Sequence, residues 1–161
     1  MGRGYQRTLQ SKDRAPDQPL FTLAGEPLRT PDLWRDGPVL LAFYKASCPT
    51  CQLTLPFLDR LRAGGARVFA IAQDNPSTAR AFNSEFDMPD MPTLIDPAAA
   101  GYPASDAFGL THVPSMFLVQ PDGVISWDSV GFVRIDLEDL SRRLDIPIFH
   151  NGDIVPAAKA G

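Results

Sequence analysis

Cysteine is scarce in this chain: two residues in 161, Cys48 and Cys51. Two cysteines do not build the disulfide framework that staples small secreted domains. Histidine is equally scarce, with only His112 and His150. Zinc wants four ligands, or three plus water, and neither histidine stands at a ligand spacing from the cysteines. Haem attachment needs a histidine after the second cysteine, but Gln52 occupies that position. No stretch approaches the roughly 18 apolar residues of a membrane span. Nor is there a basic excess. The formal net charge of −4 gives no electrostatic case for nucleic acid or an anionic membrane surface. Internal repeats and low-complexity segments are missing as well. These absences leave an ordinary composition, 44% hydrophobic and 21% charged, in a length that suits one domain with a real core. Proline is the one excess. Its 16 residues, about twice the usual share, punctuate strands and helices.

Residues 1–19 are polar and mixed in charge and read as a flexible N-terminal arm. They hold no apolar core of a signal peptide, and Gln6 stands where a myristoylation motif wants Ser or Thr. The expected setting is cytoplasmic, or extracytoplasmic if a leader has been removed. A cysteine pair in a cytosolic chain points to catalysis or redox sensing rather than to a structural bridge.

The apolar patterning predicts an alternation of strands and helices over residues 20–145, followed by a tail at 146–161 with no clear period. Phe21-Thr22-Leu23 and Pro27-Leu28 form a small hairpin, and Thr30 to Asp36 a short helical turn. Residues 38–45 are uninterruptedly apolar, as befits a strand covered on both faces. Leu53, Phe57, Leu58 and Leu61 then recur at helical spacing until Gly64-Gly65. Residues 67–72 give a second buried strand. A helix opens at Asn75-Pro76, with Asn75 as its cap. Thr93-Leu94-Ile95 is a short strand and Ala104 to Phe108 a helical turn. Strands at 115–120 and 124–128 flank the turn Pro121-Asp122-Gly123. A last helix carries Leu137, Leu140 and Leu144, with Asp136 as its expected cap. Early parallel pairing with a late antiparallel hairpin makes a mixed, three-layer α/β fold.

Cys48-Pro49-Thr50-Cys51 lies between the strand at 38–45 and the helix that follows. A thiol attacks only as thiolate, so what lowers its pKa decides its use. Ser47 is the expected N-cap, which places Cys48 in the first helical turn, where free N–H groups and the helix dipole favour an anion. In such settings a thiol pKa falls from about 8.5 to about 7 or below. Cys51 is one turn on, faces the same side and is expected to be the more buried. This divides the labour: Cys48 attacks a substrate disulfide, and Cys51 resolves the mixed disulfide. Lys45 reads as a solvated residue at the strand end.

Three features together resemble the thioredoxin superfamily, and within it the TlpA/ResA-like or AhpC/TSA-like redoxin branch. They are the strand–CPTC–helix run from Phe43 to Cys51; Pro56 inside the helix, where proline is costly; and Val113-Pro114-Ser115-Met116-Phe117-Leu118-Val119 ahead of Pro121-Asp122-Gly123. The resemblance covers roughly residues 20–145. It implies a thioredoxin-like three-layer α/β/α sandwich with a mixed central sheet and an N-terminal β-hairpin extension. It also implies that Pro114 is cis and lies against the cysteines, turning the Val113 backbone toward them to pair with an extended substrate, with Pro49 and Thr50 in the same binding surface. The implied activity is thiol–disulfide exchange with protein or small-thiol partners, in redox homeostasis and antioxidant roles, with no bound cofactor or metal. Three positions depart from the family: Ser47 replaces a Trp, Ala42 a buried Asp, and Thr54 a Glu. Both carboxylates that help deprotonate the second thiol are thus missing, and Asp74 or water is the candidate to replace them.

A thiol peroxidase is the alternative. Its motif, P-x-x-x-T-x-x-C, fails in both registers: Lys45 and Leu41 precede Cys48 at the required spacings, and Cys48 and Tyr44 precede Cys51. A non-catalytic redox-sensing module is the other alternative. Trp34, Trp127 and Phe149 read as core or edge packing, and His112 as a loop residue near Pro114.

Overall fold

Six consecutive buried residues, Val39–Tyr44, run through the middle of the molecule. A strand apolar at every position must be covered on both faces, and the rest of the chain supplies the two covers. The structure, a computed structural model, describes residues 7–161. In chain order the elements are β1 (Pro19–Thr22), β2 (Pro27–Arg29), α1 (Pro31–Trp34), β3 (Val39–Tyr44), α2 (Pro49–Ala63), β4 (Val68–Ala72), α3 (Pro76–Glu85), β5 (Thr93–Ile95), α4 (Pro103–Ala107), β6 (Ser115–Val119), β7 (Ile125–Val130), β8 (Phe132–Val133), α5 (Arg134–Leu144) and β9 (Ala158–Lys159).

Among the described residues, seven strands form one mixed sheet in the order β2-β1-β5-β4-β3-β6-β7. β3, β4 and β5 are parallel neighbours, and β6 runs antiparallel to β3 with Phe43 opposite Ser115. The expected N-terminal hairpin is present and joins the sheet through β1 and β5. Successive residues of a strand point to opposite faces, and the core divides accordingly. Leu40, Ala42, Tyr44, Val68, Ala70, Met116 and Leu118 pack with Leu55, Leu58, Phe82, Leu137 and Leu140 from α2, α3 and α5. Their alternates Leu41, Phe43, Ile71, Phe117 and Val119 pack with Trp34 of α1 and with Ala104 and Phe108 around α4. On that second face the rings of Phe43, Phe108 and Phe117 lie 4.9–5.9 Å apart in tilted and edge-on pairs.

Local chemistry explains most element boundaries. Asn75 caps α3 by accepting from the Thr78 N–H at 2.8 Å. Asp96 is fully buried, and its two oxygens accept from the Ala104 and Ser105 N–H groups at 3.1 and 2.7 Å. Pro56 lies inside α2, as expected from the spacing. Two expected caps are corrected. α5 begins earlier than its apolar period indicates, with Val133 as N-cap. Asp136 therefore sits within the first turn, where it accepts from the Ser129 hydroxyl at 2.7 Å. Likewise α2 is capped by Cys48, not Ser47. A sulfur accepts a backbone N–H as an oxygen does, so the start of the helix moves one residue on.

The two flanking segments are laid against the sheet. Residues 9–15 exchange backbone hydrogen bonds with Phe108, Gly123 and Ile125, which masks an edge that would otherwise stay unpaired. Ile146, Phe149 and Val155 pack against the α2 side of the core, and β9 pairs with β8. Both segments escape a periodicity reading because backbone groups, rather than a regular apolar stripe, hold them. Among the described residues no helix is long and apolar enough to cross a membrane.

Candidate active site

The site is built where β3 ends. The chain leaves the sheet at Tyr44 and crosses residues 45–47 into α2. This short loop is held from two sides: the Ala46 N–H donates to Asp74 at 2.8 Å, and the Gln52 side chain donates to the Ala46 carbonyl at 2.9 Å. Asp74 follows β4, so the two central parallel strands jointly fix the approach to the thiols. Pro49 is the first helical residue, where its missing N–H is no loss.

Cys48 has extended backbone angles, φ −82° and ψ 116°, and its Sγ accepts from the Cys51 N–H at 3.2 Å. The first thiol is therefore the cap of α2 and receives one of the unpaired N–H groups of the helix end. Cys48 is partly exposed, whereas Cys51 is fully buried. Both are free thiols. Burial pushes the Cys51 thiol well above its ordinary pKa; the Lys45 backbone N–H opposes the rise, and Cys48 and the Asp74 charge add to it. Tyr44 is fully buried, and its hydroxyl has no partner among the described residues. Burial and the nearby charges of Asp74 and Cys51 push its pKa up.

Opposite the thiols stands the loop before β6. The Val113–Pro114 peptide bond is cis. Cys48 Sγ lies 3.5 Å from the Val113 carbonyl oxygen, to which it donates. The Ser115 hydroxyl donates to the His112 carbonyl at 2.7 Å. Cys48, Cys51, Pro49, Thr50, Val113 and Pro114 are thus brought together in one place. His112 is exposed beside this loop and, with Gln73, Leu110, Thr111 and Val113, lines a cavity of about 140 Å³. A larger cavity, about 420 Å³, lies between α5 and residues 146–149, away from the cysteines. Size is a poor guide here, because neither thiol lines the larger hollow. Trp34 and Trp127 are core residues. Among the described residues no three His, Cys, Asp or Glu side chains gather as a metal site.

The sequence reading missed one part of this surface. Thr50 lies between the cysteines yet is only 2% exposed, and its hydroxyl donates to the Ala160 carbonyl at 2.6 Å. Residues 158–161 reach this spot from the far end of the chain. The glycines mark the close approach: Gly131 has a φ of +74°, and a Cβ there would stand 2.8 Å from the Lys159 carbonyl oxygen.

Solved structures share this architecture. The thioredoxin domain of a thiol-disulfide oxidoreductase from Bacteroides vulgatus superposes with a TM-score of 0.71 at 17% identity, covering 84% of this chain and 97% of that one. Peroxidoxin BcpB from Mycobacterium tuberculosis superposes with a TM-score of 0.67 at 21% identity, over 85% and 95% of the two chains. The fold is therefore thioredoxin-like. The thiol:disulfide interchange protein DsbE of Yersinia pestis is 33% identical over 107 residues, which are 65% of this chain and 53% of that protein. The chain thus spans about half the length of that curated relative. The family model of AhpC/TSA matches residues 11–128, a span that holds both cysteines and Pro114. With that match over most of its length, the chain belongs to the AhpC/TSA family.

Proposed function

We propose that this protein is a thiol–disulfide oxidoreductase acting on disulfide- or thiol-bearing proteins or small thiols. One observation carries the reading: Cys48 Sγ is the reachable cap of α2, and the buried Cys51 lies one turn behind it. In the reducing direction the Cys48 thiolate attacks one sulfur of a substrate disulfide. A Cys48–substrate bond forms, and the first substrate thiolate departs and takes up a proton. Cys51 then loses its proton and attacks Cys48 Sγ. The mixed disulfide breaks, the second substrate thiol leaves, and the enzyme keeps the Cys48–Cys51 disulfide. Two electrons pass to the substrate, and the reverse sequence oxidises a dithiol. No bound cofactor is needed. The Val113 backbone and the Pro49-Thr50 turn form the binding surface, with Pro114 beside the sulfurs. The DsbE name of the Yersinia pestis relative supports this class of reaction.

Substitution of the cysteines tests it. Cys48→Ser should abolish reduction of a protein disulfide, and Cys51→Ser should accumulate mixed disulfides with substrate, read by mass spectrometry. Full activity in Cys48→Ser removes the mechanism.

The peroxidoxin neighbour favours a second reading, in which Cys48 cleaves a peroxide O–O bond. The thiolate would become a sulfenic acid as the alcohol leaves. Cys51 would then release water and form the disulfide, and an external dithiol would restore both thiols. Against it, Lys45 occupies the position where the peroxidase motif has threonine. Fast, Cys48-dependent turnover of hydrogen peroxide in the presence of a dithiol would reverse this ranking.

A further inference from the structure

The groove beside the thiols already holds a piece of this chain. β9 pairs antiparallel with β8, with Lys159 opposite Phe132 and Ala158 opposite Val133. The pairing is extended by the Arg134 N–H, which donates to the Ala157 carbonyl at 2.9 Å. Next to it the Gly131 N–H donates to the Pro114 carbonyl at 2.8 Å, so the β7–β8 corner links the covering strand to the loop opposite the thiols. Beyond β9 the Ala160 carbonyl takes the Thr50 hydroxyl at 2.6 Å. Gly161 lies so close to Val113 that a side chain there would run into the Val113 carbonyl. That carbonyl is the group 3.5 Å from Cys48 Sγ.

Small residues make this fit possible. Ala158, Ala160 and Gly161 let the backbone approach, and Gly131 leaves room for the Lys159 carbonyl. Yet the segment itself is weakly held. Residues 156–161 are all exposed and β9 is two residues long. Segments with few buried side chains open locally at little cost. The firm anchor lies upstream, where Arg60 holds Asp153 through two bonds of 2.7 and 3.2 Å and donates to the Ile148 carbonyl at 3.1 Å. Residues 157–161 therefore form an arm that can leave the site while its base stays in place.

We propose that residues 157–161 are a built-in occupant of the substrate groove, competing with an extended polypeptide for Thr50 and the Val113 backbone. The partner that displaces them is a strand-like segment with small side chains, presenting a backbone carbonyl to the Thr50 hydroxyl. The competition rests on the exchange reading given above, but the cover itself can be measured without any exchange.

The test compares the parent protein with Lys159→Pro, which removes a backbone N–H from β9, and with Thr50→Val, which removes the donor to Ala160. Reduced Cys48 is labelled with a bulky maleimide and, separately, with iodoacetamide. Release of the cover should speed maleimide labelling by at least about ten-fold and iodoacetamide labelling far less, because the opening that admits a small reagent is already frequent. With a peptide disulfide flanked by small residues, KM should fall in Lys159→Pro while kcat holds. Equal maleimide rates in the parent and in a folded variant overturn the proposal. Thr50→Val leaves every element intact and so keeps the test decisive if Lys159→Pro does not fold. If the labelling contrast appears but no disulfide is reduced, the cover stands and the exchange reading falls. If exchange proceeds without a labelling contrast, the cover falls and the exchange reading stands.

Discussion

In the proposed exchange, Cys51 sets how fast a mixed disulfide is cleared. Its thiol is held well above the ordinary range, first by burial and then by Cys48 and the Asp74 charge. At neutral pH it is almost wholly protonated, so resolution should accelerate about ten-fold per pH unit through and beyond the ordinary thiol pKa of about 8.5. Quenched-flow decay of the Cys48–substrate disulfide measures this, and a rate flat from pH 6 to 9 would count against it. The same shift bears on stability. A thiol that resists ionisation in the folded state favours folding fully below the unfolded pKa, and the gain is lost as pH rises past it. Asp74 holds the Ala46 N–H at 2.8 Å, and its charge adds to the rise at Cys51. Asp74→Asn keeps an oxygen for the Ala46 N–H but removes the charge. In Cys48→Ser protein, where Cys51 is the one remaining thiol, adding this change should lower the thiolate absorbance transition only a little, because burial, the main cause of the shift, stays. Neither Ala42 nor Thr54 could have revealed this, since the sequence does not say which residue after β4 meets the loop before α2.

Between elements, the contact that matters most is the one from α2 to residues 146–156. Arg60 and the His150 N–H both bond to Asp153 and hold its carboxyl at a pKa of about 2, the Arg60 hydrogen bond acting first. A depressed carboxylate contributes stability above its unfolded pKa of about 3.9, lost only as pH falls through the folded value. The base of the covering arm should therefore stay docked at pH 3.5, where an ordinary aspartate is mostly protonated. Amide exchange across 146–156 checks this. Protection should persist at pH 3.5 in the parent and be lost from pH 3.5 to neutral in Asp153→Asn. The ends of α2 and α5 show how far local chemistry is legible. Asn75 and Pro76 announce α3 correctly because an asparagine oxygen is a known cap. Cys48 hides its own capping role because sulfur is rarely read as one, and Asp136 misleads because an acidic residue suits the first turn as well as the cap.

For the molecule as a whole, the central strands were legible and the long-range closures were not. Val39–Tyr44 and Val68–Ala72 declare themselves by unbroken apolar runs and CPTC by its spacing, whereas Val113-Pro114 is legible only through the family resemblance. The strand order, the masking of the sheet edge by residues 9–15 and the return of residues 158–161 to Thr50 depend on backbone pairing between distant segments, which leaves no period in the sequence. The two-faced core has a consequence for how stability and reactivity separate. The thiols belong to the layer with Leu55, Phe82 and Leu137, whereas Phe117 packs with Phe43 and Phe108 on the opposite face. Phe117→Ala opens a cavity in the second layer and should cost about 3–5 kcal/mol, read from the denaturation midpoint. In native buffer, where a domain with roughly 5–15 kcal/mol of stability remains mostly folded, the labelling rate of Cys48 should stay within about two-fold of the parent. Within its environment the cap of α2 and the Ala160 cover lie outside the disturbed aromatic cluster, whereas Val113 packs against both layers and links them; sites that share few partners act nearly independently. A large change in Cys48 labelling without unfolding would mean that the sheet transmits packing changes from one face to the other, and that the site is tuned by the whole core rather than by the elements that touch it.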